Sequence, residues 1–209
     1  GNAIDAAVTI GFVMAVTCPR AGNIGGGGFM LLHLAKTGQI VALDYREKAP
    51  AKAQRDMFVD QNGKVNFDLS QFSHLAAGVP GTVAGLALAL EKYGTLSLAA
   101  TLAPAIKLAE EGFQVSPDFS DAIKTNAKTL KAWAATKAIF FKPDGSFYET
   151  GERFVQKDLA KTLKIIANQG IKSFYQGDIA ELITNDMQAH GGLLSKTDLA
   201  SYQPVIRPP

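Results

Sequence analysis

Of the 209 residues, 21 are Lys or Arg and 19 are Asp or Glu, so the formal net charge is +2. With 47% hydrophobic and 19% charged residues, the composition is that of a folded globular chain; it excludes disorder, and so balanced a charge argues against nucleic acid as a partner. The length suits one to two domains of roughly 150 residues, and the single cysteine, Cys18, excludes a disulfide framework and a Cys-rich zinc site.

Ala3 to Val16 is apolar except for Asp5 and Thr9, which share one helical face. Its roughly 14 apolar residues fall short of the ~20 that a membrane span requires. No basic leader precedes it and no small-residue cleavage motif follows. The expectation is a core helix buried on nearly all sides, with no membrane span in this segment. A chain that starts at Gly1 and enters a helix at once reads as a piece of something longer.

Phe29–Leu34 and Ile40–Tyr45 are apolar runs separated by Ala35-Lys36-Thr37-Gly38-Gln39, which predicts a β-hairpin. Both runs are apolar on both faces, so the hairpin should lie between layers, with the first helix over one side. A lone hairpin is unstable in water, so the other strands of its sheet are expected from further sequence.

From Val79 the pattern turns helical. Val83, Leu86, Leu88 and Leu90 open one helix, and Leu98–Glu110 is another, with Pro104 marking a kink or a first turn. Ser116-Pro117-Asp118 reads as a helix start. Val155–Ala167 ends at Gly170, a helix around Ile179–Met187 stops at Gly191-Gly192, and Ser195-Lys196-Thr197-Asp198 resembles a capping box. No closing element is expected at Arg207-Pro208-Pro209. The fold class is α/β in the layered, α+β sense: one partial domain, with a helix and hairpin in 1–78 and a mainly helical lobe in 79–209.

The chemistry-bearing residues are sparse. His33, His74 and His190 show no metal-ligand spacing and no H-E-x-x-H, so no metal and no cofactor is assigned. His33, inside a strand, is expected to be a hydrogen-bonded core residue, and His190 to close a helix. There is no G-x-S-x-G elbow. The run Gly25-Gly26-Gly27-Gly28 leads into a strand and lacks a following Gly-Lys-Ser/Thr, so it is not a phosphate loop. Four glycines permit positive φ or close approach of another backbone, or they wall a ligand pocket. In Asp44-Tyr45-Arg46-Glu47-Lys48-Ala49-Pro50, Asp44 and Arg46 share one face. Arg46 suits either an ion pair with Asp44 or a two-pronged clamp for a carboxylate.

These segments, taken in order, resemble the γ-glutamyltranspeptidase family. The resemblance rests on Asn2-Ala3-Ile4-Asp5-Ala6-Ala7, Gly25-Gly26-Gly27-Gly28-Phe29-Met30, Asp44–Pro50, Gly78-Val79-Pro80-Gly81-Thr82-Val83-Ala84-Gly85, Lys92-Tyr93-Gly94, Phe174-Tyr175-Gln176-Gly177, Gly191-Gly192-Leu193 and Asp198-Leu199-Ala200-Ser201-Tyr202. It implies an N-terminal nucleophile hydrolase with an αββα sandwich, to which this chain gives an inner hairpin, covering helices and a helical lobe. It further implies a proenzyme that cleaves itself, freeing an N-terminal threonine on a small subunit. That threonine, activated by its own α-amine, takes up a γ-glutamyl group from glutathione and passes it to water or an amine.

On this resemblance the chain is the first part of the large subunit. The nucleophile lies beyond Pro209 and no catalytic residue is assigned here. Arg46, in its Arg-Glu-x-Ala-Pro setting, is the substrate-binding residue that takes the α-carboxylate. The implied partners are the small subunit, the remainder of the large subunit and a small γ-glutamyl molecule. The alternatives are a glutaryl- or cephalosporin-type acylase, a poly-γ-glutamate depolymerase, or a non-catalytic fragment. The family also implies a periplasmic or secreted location.

Overall fold

A computed structural model describes all 209 residues. Helix α1 (Ala3–Thr17) leads to a hairpin of β1 (Phe29–Leu34) and β2 (Gln39–Asp44). A short α2 (Phe67–Phe72) precedes α3 (Thr82–Tyr93) and α4 (Leu98–Glu111). A small subassembly follows: β3 (Phe113–Gln114), α5 (Pro117–Thr125), α6 (Ala127–Lys131), α7 (Ala134–Phe140) and β4 (Arg153–Phe154). The chain then runs through α8 (Lys157–Gln169), α9 (Lys172–Tyr175), α10 (Asp178–Ala189), α11 (Lys196–Ala200) and β5 (Val205–Arg207). No helix is long and apolar enough to cross a membrane.

Asn2 caps α1: its side chain accepts from the backbone of Ile4 and Asp5, and Asp5 Oδ2 accepts back from Asn2 N. Asp5 also accepts from Thr95 N (2.8 Å), Thr95 Oγ1 (2.7 Å) and Leu96 N (3.0 Å), tying the start of α1 to the turn between α3 and α4. Burial pushes the Asp5 carboxyl up, but these hydrogen bonds outweigh it and hold the group well below the usual carboxylate range. The polar residue in an apolar helix is thus a tether.

The helix is not buried on nearly all sides. Val8, Phe12, Ala15 and Val16 form the covered stripe on the side of Asp5, at the spacing of one helical face, while Ile10 is 56% exposed. These 209 residues provide cover for one side only.

The hairpin pairs antiparallel from Phe29↔Asp44 to Leu34↔Gln39, with Gly38 at φ +68 in its turn. The sequence leads one to expect the other strands of this sheet from outside these residues, yet β5 pairs with β2, giving the order β1-β2-β5. At three residues between Pro204 and Pro208 it carries no periodicity that sequence can display. The inner face (Leu32, Val41, Leu43, then Tyr45) enters the main core with α1, α3, α4 and α8–α11. On the outer face Phe29 and Leu31 are 63% and 70% exposed. His33 lies on that outer face with its side chain exposed and in no hydrogen bond, and is not the hydrogen-bonded core residue expected from sequence. Period-two alternation puts it opposite Leu32, and nothing in this chain covers that side.

One apolar cluster runs from Val8 to Tyr202 and joins hairpin and helices without a break. α4, whose interior holds Pro104, packs on both α1 and α8. A second cluster of Val115, Phe119, Ile123, Phe141 and Phe154 fills the subassembly. There Ser116 caps α5, accepting from Phe119 N, with Pro117 at the first helical position.

Candidate functional site

Leu43 and Tyr45 point inward, so alternation turns Asp44 and Arg46 outward, beside Phe29. Arg46 forms no ion pair with Asp44. The Asp44 carboxylate accepts instead from the backbone N–H of Arg46 (3.1 Å) and from Arg207 Nε (2.7 Å). These two contacts, the Arg46 backbone bond first, lower its pKa. The Arg46 guanidinium lies exposed with its carbon 5.7 Å from the centre of the Phe29 ring, and no carboxylate of this chain pairs with it. Of the two readings of this residue, the geometry leaves the guanidinium available.

The backbone that carries it is held from several directions. Gly28 and Tyr45 exchange backbone hydrogen bonds of 3.3 and 2.9 Å, extending the hairpin. Gly27 lies so close that a Cβ there would fall 2.5 Å from Tyr45 O and 2.9 Å from Arg46 Cα. None of the four glycines has positive φ, so their requirement is close approach. Gly26 O accepts from Gly81 N and Thr82 N at the start of α3. Val79 and Lys48 form an isolated bridge (2.7 and 3.2 Å). A Cβ on Gly85 would strike the Tyr45 ring.

From the far end of the chain, Asp198 Oδ1 accepts from Ala51 N (2.8 Å), and the Tyr202 hydroxyl donates to Arg46 O (2.8 Å). The predicted capping box is present, with Ser195 and Asp198 bonded reciprocally. Tyr202 stacks on Tyr175 at 5.8 Å, and Tyr175 OH donates to Pro80 O while accepting from Ala84 N. Burial, then the nearby Asp44 and Glu47 carboxylates, push the Tyr202 hydroxyl up to about 12, so it remains a donor. Burial likewise raises Tyr175.

Thus four segments that look unrelated along the chain converge on Asp44–Ala51, and Tyr175 braces two of them. Arg207 escaped sequence reasoning because only the register of β5 places it by Asp44. The roles of Tyr175 and Tyr202 are likewise visible only in space.

A second polar group lies elsewhere. His74 Nε2 is 2.9 Å from Asp186 Oδ2, His190 Nδ1 is 3.3 Å from Asp186 Oδ1, and the two imidazoles stack at 4.5 Å with Trp133 edge-on to both. His190 does close α10, as expected. The rings lie within 17° of parallel, so one ion cannot sit in both ring planes without a ring rotation. The group fits a hydrogen-bonded latch between the turn at His74 and α10.

The γ-glutamyltranspeptidase family model matches residues 1–209. The chain is 51% identical to a glutathione hydrolase proenzyme of Escherichia coli K12, a match covering 100% of this chain and 36% of that protein. The crystal structure of Helicobacter pylori γ-glutamyltranspeptidase superposes with a TM-score of 0.96 at 53% identity, covering 99% of this chain and 59% of that one. A cephalosporin acylase from Bacillus halodurans is more distant in sequence, with 32% identity and a TM-score of 0.86 over 98% of this chain and 38% of that one. The chain spans about a third of the length of the curated relatives it matches. The fold class expected from sequence is therefore the observed one, that of the N-terminal nucleophile hydrolases. Gly26–Gly28, Val79–Gly85 and Asp198–Tyr202, which hold the Arg46 backbone, are among the segments that carried the resemblance, and the chain belongs to the γ-glutamyltranspeptidase family.

Proposed function

We propose that this chain is the first part of the large subunit of a γ-glutamyl hydrolase/transferase. The whole protein cleaves the γ-glutamyl amide of glutathione and related compounds. The hydroxyl oxygen of a threonine on the small subunit attacks the amide carbonyl, the C–N bond breaks, and the leaving amine takes the proton. Water or a second amine then attacks the resulting ester and restores the hydroxyl. Arg46 holds the substrate α-carboxylate with its two-pronged guanidinium. The observation that carries this reading is an unpaired guanidinium on a backbone fixed from several sides, in a chain matching the family from end to end.

The outer face of the sheet, with Phe29 and Leu31 exposed, is the surface that the small subunit and the rest of the large subunit would cover. We place the mature protein in the periplasm or the medium.

The test uses the full-length precursor. The expected result is self-cleavage into two chains on a denaturing gel, together with turnover of a γ-glutamyl anilide. A preference for a glutaryl amide, which lacks the α-amine, would favour the acylase alternative. An uncleaved, inactive precursor would overturn the enzyme reading.

A further inference from the structure

We propose that Tyr202 is a positioning residue for Arg46, setting the direction from which its guanidinium meets the substrate carboxylate. The inference rests on the reading of Arg46 as that clamp. Arg46 lies beyond the strand ladder: β5 pairs only as far as Asp44, and the hairpin's last exchange is between Tyr45 and Gly28. Both of its peptide groups are therefore satisfied by side chains. Asp44 Oδ1 takes the Arg46 N–H at 3.1 Å, and the Tyr202 hydroxyl supplies a hydrogen to the Arg46 carbonyl at 2.8 Å. With Gly27 against its Cα, the residue is fixed at N–H, Cα and C=O, while its side chain stays free.

Tyr202 is itself rigidly seated. It is 7% exposed, its ring lies 5.8 Å from Tyr175 and within 9° of parallel, and Lys48 Nζ sits 5.1 Å over it. Its hydroxyl also bounds the space over Gly81, where a Cβ would strike it. Without the hydroxyl, the peptide between Arg46 and Glu47 loses its only hydrogen-bond donor on the carbonyl side, and with it one of the three restraints that hold it against turning. A turn there swings the long Arg46 side chain, and ångström-scale misplacement of a clamp is costly to a bound substrate.

The experiment compares Tyr202→Phe, Arg46→Ala and the double variant in the full-length, matured protein. Each is assayed on a γ-glutamyl anilide and on the same compound without its α-carboxylate. Tyr202→Phe keeps the ring and should raise KM for the carboxylate-bearing substrate roughly 5- to 30-fold, with kcat little changed. It should barely affect the second substrate, and in the Arg46→Ala background it should have no further effect. Replacing Tyr202 with 4-aminophenylalanine, which retains an N–H donor at that position, should restore most of the loss.

Equal losses on both substrates, effects additive with Arg46→Ala, or no loss at all would overturn the proposal and leave Tyr202 a packing residue. If Arg46→Ala itself failed to distinguish the substrates, the clamp reading and this inference would fall together. If Arg46→Ala distinguished them and Tyr202→Phe did not, the inference alone would fall.

Discussion

Arg46 and Asp5 show how differently two charged residues are used in one chain. Asp5 gathers donors from Asn2, Thr95 and Leu96 and is fully committed to the fold. Its folded pKa lies below the ordinary value of about 3.9. Its contribution to stability is thus complete above the unfolded pKa and is lost as the pH falls from there through the folded pKa. Asp5→Asn should therefore lower Tm clearly at pH 7 and by less and less below about pH 4, where the unfolded chain takes up a proton at Asp5 that the folded carboxyl still resists. A Tm difference that stayed constant from pH 7 to pH 3 would contradict the tether. Arg46, by contrast, has backbone partners and an uncommitted head group. In Arg46→Lys the charge survives but the fork does not, so activity on a γ-glutamyl substrate should recover only in part relative to Arg46→Ala.

The elements divide according to how local their causes are. The hairpin, α1 and the starts of α5 and α11 were legible in sequence, because alternation, apolar runs and Ser caps are written within a few residues. The β5 strand was not, since three residues between prolines owe their pairing to β2. Nor were α6 and α7, five and seven residues long, whose formation depends on the aromatic cluster around Phe154. His33 was misplaced because strand alternation tells which residues share a face and not which face is covered. The candidate site was legible as a set of motifs and as Arg46, while the tyrosine pair and Arg207 emerge only once distant segments are folded together.

Two substitutions test the element contacts. Ser195→Ala removes the N-cap of α11 and should cost about 1 kcal/mol, read from chemical denaturation. Gly85→Ala drives a methyl into the Tyr45 ring and should cost at least ~1–3 kcal/mol by overpacking. A neutral Gly85→Ala would mean that α3 does not press on the segment preceding Arg46.

At the scale of the molecule, apolar surface is distributed unevenly. One side of the sheet lies in the main core, and the other presents Phe29, Leu31 and Ile40 to solvent, near the length of open edge on β1. The 209-residue chain alone should therefore bind a hydrophobic dye or self-associate, and Leu31→Lys should reduce both. A monomeric, dye-silent chain would contradict the reading of this face as one that another part of the protein covers.

Substrate recognition as proposed above turns on whether Arg46 meets the substrate carboxylate. The most direct measurement is kcat/KM of the matured full-length enzyme and its Arg46→Ala variant, on a γ-glutamyl anilide and on the analogue without the α-carboxylate. Leaving a buried carboxylate unpaired costs a few kcal/mol, so a loss of about 30-fold or more is predicted on the first substrate and almost none on the second, with self-cleavage intact. An equal loss on both substrates, or a precursor that no longer matures, would contradict the account and make Arg46 a structural residue at the end of its strand.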